Sequence, residues 1–208
     1  MSPKIVDKEK RRKEIALATL EIFAEKGFEA TSMSQIAKLA GIGKGTIYEY
    51  FESKEELILS AIKAWVETIQ SEVEKQMEGI DDPVERLRMY AHSSIAACAF
   101  DKRSIRLFIA MLEIVLKDDE SHSQIHLISG TMHGFGEMIA ETLRDGVSQG
   151  IFRPEVSTDA HKIAVNLLAY LDGIAMYYYM IKDHIDLGDQ VDFYLDGFLK
   201  SLRAETGG

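Results

Sequence analysis

Apolar side chains recur every three or four positions along most of the chain, which is the spacing of one face of an α-helix. The first apolar stripe consists of Ile15, Ala16, Ala18, Leu20, Ile22 and Phe23. It predicts a helix from about Asp7 to Lys26, with Gly27 as its C-terminal cap. The alternation typical of a β-strand is missing from the sequence, and strong helix formers outnumber the three prolines. We therefore predict an all-α fold.

Capping residues and glycines divide the pattern into about nine helices. Ser32 with Gln35, and Ser53 with Glu56, form capping-box patterns that open a short second helix and a long fourth helix. Gly41 ends the second helix. A short third helix is predicted at about 44–51, and the fourth ends near 77. The later helices are predicted at about 84–99, 102–117, 121–149, 157–183 and 188–204, with Pro83 in a first turn and Ser157 as an N-cap.

Charge is distributed unevenly along the chain. The net charge is −10, yet residues 1–54 carry +2 and residues 55–208 carry −12. The run Lys8–Lys13 holds five cations and one carboxylate. An acidic protein can therefore still present a local basic surface to a polyanion. We predict an N-terminal domain of three helices at residues 1–54 and a larger helical domain at residues 55–208.

Three absences from the sequence suggest a cytoplasmic protein. Cys98 is the single cysteine, which excludes an internal disulfide and fits a reducing compartment. No run of about 20 apolar residues is present, so we expect no membrane span. The basic N-terminus is not followed by the apolar segment of a secretory signal.

The segment Ile36–Ile47 has the pattern of a helix-turn-helix motif. Ala37 is small where two helices must pack closely, and Gly41 permits the left-handed backbone of a tight turn. Ile42 and Ile47 are apolar where the turn and the second helix face the core. This spacing suits two short helices that cross at about 90–120°. Such a unit places its second helix in the major groove of DNA.

The residues around this motif also resemble a known family. The stretch from Gly27 to Leu57 reads GFEATSMSQIAKLAGIGKGTIYEYFESKEEL, which closely resembles the signature of the tetracycline-repressor (TetR) family. The specific match covers about residues 10–60. The resemblance implies a DNA-binding transcription regulator that forms a homodimer on a palindromic double-stranded operator and responds to a small-molecule effector.

The resemblance also assigns candidate DNA contacts. Positions matching the start of the second helix, the third helix and Lys54 contact DNA in the family. Lys54 follows a helix N-cap, where a cation interacts unfavourably with the positive end of the helix dipole. A phosphate bound at the same helix N-terminus would offset this cost. Tyrosine and threonine hydroxyls can bind phosphates or base edges. The expected DNA-binding residues are Ser32, Ser34, Gln35, Lys44, Gly45, Thr46, Tyr48, Tyr50 and Lys54.

The larger domain gives weaker signals. The resemblance implies that residues 157–204 pair with their twofold mates as a four-helix bundle, and the expected interface residues are Ala169, Gly173, Phe193 and Phe198. Abundant methionine and aromatic residues favour an apolar or aromatic effector. The candidate pocket residues are Trp65, Tyr90, Phe108, Met111, Phe135, Met138, Tyr170 and Tyr177. The alternative for each is ordinary core packing.

Other interpretations have less support. The glycines before Lys44 suggest a phosphate-binding loop, but the first glycine of that motif is missing and Gly45 occupies its Ser/Thr position. The pairs His122–His126 and His133–Glu137 allow a metal site at helical spacing, although solvated or packed polar residues are the commoner explanation. We expect neither a metal nor a cofactor.

Two function classes compete with a regulator. The first is a helical carrier or enzyme with a vestigial DNA-binding unit, but the sequence holds no pairing of nucleophile and base that favours catalysis. The second is a protein-binding module. A regulator of this kind can activate or repress transcription, and the sequence indicates only that it binds DNA. We expect a repressor, not an enzyme.

Overall fold

The computed structural model describes residues 8–98, 102–117, 122–181 and 184–204. Within these ranges the chain forms helices joined by short turns. The helices are α1 (Lys8–Lys26), α2 (Met33–Leu39), α3 (Lys44–Ile47), α4 (Lys54–Met77), α5 (Pro83–Cys98), α6 (Lys102–Lys117), α7 (His122–Ser148), α8 (Glu155–Ile181) and α9 (Leu187–Leu202). The predicted all-α fold, with about nine helices, is confirmed.

The first helix follows its predicted pattern with one correction. Gly27 ends α1 with φ +79°, the left-handed conformation expected of a C-terminal cap. Ile15 and Phe23 are buried as predicted, but Ala18 is exposed. Thr19 is fully buried beside the stripe because its hydroxyl donates to the carbonyl of Ala16 at 2.6 Å. This internal bond lets a polar residue occupy an apolar face.

Two predicted boundaries are wrong. The α-helical part of α3 ends at Ile47 instead of Phe51, because the chain continues as turns. Helix α8 begins at Glu155, so Ser157 lies within its first turn and is not the N-cap. Pro154 explains the earlier start, since proline has no amide hydrogen and favours the first positions of a helix.

The described chain divides into two compact units. Unit 1 comprises the described residues of Met1–Thr68 and Lys102–Thr131. In it α1 packs against α2 and α6, and α2 packs against α3. Its core includes Phe23, Ile36 and Leu107. The side chain of Arg106 on α6 donates to the carbonyl of Glu25 at 2.9 Å, which satisfies an acceptor at the end of α1.

Unit 2 comprises the described residues of Ile69–Asp101 and Met132–Gly208. In it α5, α8 and α9 pack against one another. Ion pairs also join these helices: Arg88 of α5 pairs with Asp192 and Asp196 of α9. Helices α4 and α7 each contribute residues to both units.

Glycines permit two close approaches in unit 2. A Cβ atom at Gly146 would lie 2.2 Å from the ring of Phe152, which is itself buried. A Cβ atom at Gly134 would lie 2.9 Å from Nε2 of Gln70. None of the helices in the described ranges combines the length and apolar content that a membrane span requires.

Candidate nucleic-acid interface

A complete capping box opens α2. The amide of Gln35 donates to Oγ of Ser32, while the amide of Ser32 donates to Oε1 of Gln35 at 2.9 Å. These reciprocal bonds fix the start of the helix. Ser32, Ser34 and Gln35 are all exposed. Met33, Ile36 and Ala37 point into the core instead. The three predicted contact residues therefore share the solvent side of the first turn.

Gly41 makes the turn between α2 and α3. Its φ of +66° lies in the left-handed region, where a side chain is strained. The amide of Ile42 reaches back to the carbonyl of Ala37 at 2.9 Å and closes the end of α2. Gly43 then starts α3 from an extended conformation. The left-handed turn predicted from the sequence is confirmed.

Helix α3 separates an inward and an outward face. Ile47 and Phe51 are almost fully buried, as their i, i+4 spacing predicts. Lys44 and Gly45 are exposed, and Tyr48 is 48% exposed. Packing in the core is therefore excluded as the main role of the Tyr48 ring. Its apolar body and hydroxyl are available to a partner.

The residues that follow α3 form tighter turns. The amides of Tyr48, Glu49 and Tyr50 donate to carbonyls three residues earlier at 3.1–3.2 Å. Thr46 and Tyr50 are half-buried. Hydrogen bonds between residues three apart are typical of short 3₁₀ segments. The segment after α3 is therefore a short series of turns and does not extend α3.

Lys54 has two contacts inside the protein. Its Nζ donates to the carbonyl of Phe28 at 2.9 Å and lies 4.1 Å from the centre of the Phe28 ring. A lysine ammonium has three donors, so a phosphate contact remains compatible with these bonds. Lys54 also joins the start of α4 to the loop after α1.

The start of α4 differs from a standard capping box. The amide of Glu56 donates to Oγ of Ser53 at 3.0 Å, as predicted. The Glu56 carboxylate, however, accepts from the amide of Glu52 at 2.6 Å. A standard box would join this carboxylate to the amide of Ser53. The bond therefore joins the first turn of α4 to Glu52, in the turn after α3.

The N-terminal basic run is partly neutralised by carboxylates. Arg11 pairs with Glu14 on its own helix, and Lys13 pairs with Glu67. Arg12 pairs with Glu56 at 2.6 Å. The run is therefore less of an open phosphate-binding surface than its composition suggests. The pairing of Arg12 spans 44 residues, so no local sequence signal indicates it.

Three candidate pocket residues lie in the interior of unit 2. Tyr90 is 1% exposed and packs edge-on against Phe135 with ring centres 6.2 Å apart. Met138, one turn after Phe135 on α7, is also buried. The structure brings Tyr90 and Phe135 into contact, and Met138 lies on the same helix as Phe135. One turn beyond Tyr90, Oγ of Ser94 is buried with no hydrogen-bond partner among the described residues.

The remaining candidate pocket residues lie elsewhere. Trp65, Phe108 and Met111 belong to unit 1, where Trp65 and Met111 are half-buried. The hydroxyl of Tyr170 donates to the carbonyl of Gln190 at 3.0 Å, and its ring stacks on Tyr194. Tyr177 is exposed. The candidate set is thus spread over several parts of the molecule.

Helix α8 carries an exposed row of small and apolar residues. Val165, Ala169, Gly173 and Tyr177 follow one another at i, i+4 and are all exposed. On α9, Phe193 is 80% exposed. Phe198 is half-buried and stacks against Tyr194 with ring centres 5.8 Å apart. Burial in the core therefore does not account for Phe193.

An open cavity of about 690 Å³ lies at the surface of unit 2, and of its lining residues only Met77 and Met138 are buried. Its described lining comes from α4, α5 and α7 and includes Met77 and Met138. The other lining residues are Gln70, Ser71, Glu74, Lys75, Glu78, Arg86, Gly134, Glu137 and Glu141. Small-molecule sites commonly have volumes of about 300–1,000 Å³. The lining is more polar than the predicted apolar pocket.

The histidine pairs noted in the sequence have different outcomes. The side chains of His122 and His126 lie outside the described residues, as does that of Cys98. His133 stacks on His161, and both approach Glu137. Across the part of the chain that the structure describes, no three His, Cys, Asp or Glu side chains are arranged to hold a metal ion.

Comparison with known proteins gives an independent view of the chain. Residues 15–61 match the family model described as bacterial regulatory proteins, tetR family. The HTH-type transcriptional regulator HbdR of Aromatoleum sp. (strain CIB) is 28% identical over 197 residues, which cover 91% of this chain and 79% of that protein.

Solved structures show the same fold. The transcriptional regulator FadR of Bacillus subtilis, in complex with stearoyl-CoA, superposes with a TM-score of 0.74 at 22% identity, covering 91% of this chain and 98% of that one. A regulator from Saccharomonospora viridis in complex with choline gives a TM-score of 0.73 at 22% identity, covering 95% of this chain and 100% of that one.

Proposed function

Because the chain belongs to the tetR family of bacterial regulatory proteins and is a DNA-binding transcriptional regulator, we propose that it is a homodimeric repressor. In this proposal it binds a palindromic operator and is released by a small-molecule effector. The observation that carries the proposal is the half-exposed Tyr48, held beside the buried pair Ile47 and Phe51. Contact with DNA would explain why this aromatic ring is exposed in the free protein.

The proposed DNA face comprises the exposed start of α2, the outer side of α3 with the turn that follows it, and Lys54. In it α3 enters the major groove, where Lys44 and Thr46 reach base edges or phosphates. Ser32, Ser34 and Gln35 approach the backbone from the N-terminus of α2, where amide groups favour a phosphate. Gly45 lets the α3 backbone come close, while Tyr48 and Tyr50 donate hydroxyl hydrogens.

Substitution of Tyr48 tests the proposed DNA face. Tyr48→Ala is expected to lower affinity for the DNA upstream of the gene by roughly tenfold or more, because it removes a contact and its apolar area. Tyr179→Ala is the matched control, since Tyr179 is also a partly exposed tyrosine but lies on α8. Fluorescence anisotropy at fixed salt gives both affinities. Equal affinities for wild type and Tyr48→Ala would remove Tyr48 from the face.

The proposed dimer forms through the α8–α9 surface. Val165, Ala169, Gly173 and Tyr177 make one ridge along α8, and ridges at this spacing pack well against a second helix. Phe193 adds a large exposed apolar group on α9. A second copy of the chain would cover both. Two copies present two recognition helices, which matches a palindromic operator.

The proposed effector site is the cavity of unit 2. Met77 and Met138 supply apolar surface, while Lys75, Arg86 and four glutamates supply charge. This lining fits an effector with an apolar or aromatic body and at least one polar group. The effector must bind more tightly to the conformation with the lower operator affinity, because a ligand shifts an equilibrium only through that difference.

A cavity-filling variant tests the effector site. Ser71 lines the cavity, whereas its exposed neighbour Glu72 does not. Native mass spectrometry of the purified protein is expected to show a bound small molecule in wild type and in Glu72→Trp but not in Ser71→Trp. The identified molecule should then lower operator affinity by about 10- to 100-fold, except in Ser71→Trp. Retention of the molecule by Ser71→Trp would place the effector elsewhere.

A further inference from the structure

The side chain of Arg12 joins three separate parts of unit 1. Its NH1 group donates to the carbonyl of Tyr50 at 2.6 Å. Its NH2 group donates to Oε1 of Glu56 at 2.6 Å and to Oγ of Ser60 at 3.0 Å. The guanidinium carbon also lies 4.6 Å from the centre of the Phe51 ring. One α1 residue therefore contacts both the turn after α3 and the first two turns of α4.

These contacts are specific in geometry and partly shielded from water. The side chains of Arg12 and Glu56 are 27% and 21% exposed. Charge-assisted hydrogen bonds in such surroundings are stronger than neutral bonds at the surface. The guanidinium also matches its acceptors through a rigid fork of donors, which a lysine cannot reproduce.

The acceptors lie next to the residues that face DNA. Tyr50 belongs to the proposed DNA face, and its carbonyl is one that the short α3 leaves without a helical partner. Glu56 uses its other oxygen to accept from the amide of Glu52, in the turn before Lys54. Arg12 thus holds the segment Tyr50–Lys54 from one side, while Lys54 itself anchors on Phe28.

We propose that Arg12 is a positioning residue for DNA binding, which fixes Tyr50 and the start of α4 without contacting DNA. The proposal rests on the DNA face proposed above. Three of its five N–H donors are directed at protein acceptors and its guanidinium lies against the Phe51 ring. We therefore expect its contribution to affinity to be preorganisation of the contact residues rather than a phosphate bond. Loss of Arg12 leaves the phosphate contacts in place but lets the α3–α4 turn move.

The neighbouring Arg11 provides a matched control. Both residues are arginines in the same turn of α1, but Arg11 pairs only locally with Glu14 in an exposed position. Arg12→Ala and Arg11→Ala therefore remove the same charge from adjacent positions of α1. We expect Arg12→Ala to lower operator affinity by roughly tenfold. Arg11→Ala should change it by less than about twofold.

Salt dependence separates positioning from direct contact. A phosphate contact contributes about one unit to the slope of log affinity against log salt. We expect Arg12→Ala to lower affinity with the wild-type slope. A slope reduced by about one unit would make Arg12 a phosphate contact and overturn the proposal. Unchanged affinity in Arg12→Ala would overturn it as well.

A measurement without DNA distinguishes failure of this inference from failure of the DNA face. Hydrogen exchange of the free protein should be about tenfold faster at the amides of Tyr50–Lys54 in Arg12→Ala than in Arg11→Ala, with the α1 amides unchanged. Equal exchange rates in the two variants would overturn the proposal that Arg12 holds the segment Tyr50–Lys54, whether or not the protein binds DNA. Should Arg12→Ala fail to fold, Arg12→Lys keeps the charge and is expected to give a smaller increase at the same amides.

Discussion

At the scale of the residue, Gly45 shows a position that the fold does not explain. Glycine in a helix costs about 1 kcal/mol relative to alanine. Gly45 has no left-handed φ, and a Cβ atom there would meet nothing within 4 Å. The protein therefore accepts a less stable residue without an internal reason. The proposed close approach of DNA to the α3 backbone would supply one.

This gives a prediction in which stability and function change in opposite directions. Gly45→Ala should raise the free energy of unfolding by about 0.5–1 kcal/mol, because alanine loses less backbone entropy. It should lower operator affinity by roughly tenfold, because the methyl group separates the backbone from a phosphate. Thermal melts and anisotropy titrations measure the two effects.

Gly130→Ala is the control for this pair of measurements. Gly130 is also an exposed helical glycine with open space around it, but it lies on α7. It should gain similar stability without a change in DNA affinity. Gly45→Ala protein that is more stable and binds the operator as tightly as wild type would remove Gly45 from the DNA face.

Single residues of the motif were the most predictable part of the site. Ser32, Gly41 and Ile47 are set by local chemistry: a cap, a left-handed turn and helical spacing. Arg12 was not predictable, because its partner Glu56 lies 44 residues away and any basic run looks alike in sequence. The second role of Lys54 was hidden for the same reason, since Phe28 precedes it by 26 residues.

At the scale of the helix, the α8–α9 surface combines small residues with one large apolar side chain. Exposure of Ala169, Gly173 and Phe193 agrees with their predicted place at a dimer interface, which itself stays a prediction. Phe198 contributes less directly, because it stacks on Tyr194. Phe193 is therefore the residue whose removal should matter most.

Substitution of Phe193 tests the dimer. Phe193→Asp should raise the dimer dissociation constant by about 30-fold or more, because it replaces a central apolar contact with a charge. Leu116→Asp is the matched control, since Leu116 on α6 is exposed to 82%, close to the 80% of Phe193. Sedimentation velocity over a concentration series measures both. Dissociation of the Leu116→Asp protein, with Phe193→Asp still dimeric, would refute the proposed interface.

The stacked tyrosines of α8 and α9 predict a dependence on pH. Burial, with the neighbouring Tyr194, raises the pKa of Tyr170 above its ordinary value, and burial also raises the pKa of Tyr194. A tyrosine whose pKa is higher in the folded than in the unfolded protein stabilises the fold. This stabilisation is complete below about pH 10 and is lost as the pH rises further.

Absorbance of the tyrosinate ion measures this shift. Tyr170→Phe should remove one of the late-ionising tyrosines from the titration curve of the folded protein. A curve for Tyr170→Phe that loses no late-ionising tyrosine relative to wild type would contradict the stacked arrangement.

Helix lengths were predicted well where caps are strong and poorly where they are weak. Gly27 and Ser32 marked their boundaries correctly. The end of α3 was placed too late because Tyr48–Phe51 continues the apolar spacing while the backbone tightens into turns. Spacing records which side faces inward, and it does not distinguish an α-helix from a series of tighter turns.

At the scale of the whole molecule, charge is separated along the chain. The N-terminal 54 residues carry a small positive charge and the remainder is strongly acidic. Three cations of the N-terminal run are paired with carboxylates, which reduces the positive charge that this run offers to phosphates. We therefore expect operator binding to depend on shape and on side chains such as Tyr48 as well as on charge.

The effector was the least predictable property of the molecule. Its candidate residues were chosen by type, and the structure distributes them among a buried cluster around Tyr90, an exposed Tyr177 and a stacked Tyr170. Aromatic and methionine residues occur in cores and pockets alike, so composition cannot separate the two.

Hydroxyl-radical footprinting on the DNA upstream of the gene tests whether a dimer binds DNA through α3. We expect two protected patches with twofold symmetry, centred about one helical turn or a multiple of it apart. At a protein concentration just sufficient for full protection by wild type, both patches should weaken together in Tyr48→Ala and persist in Tyr179→Ala. A single patch without a symmetric mate, or full protection by Tyr48→Ala, would contradict a dimer that reads DNA through α3.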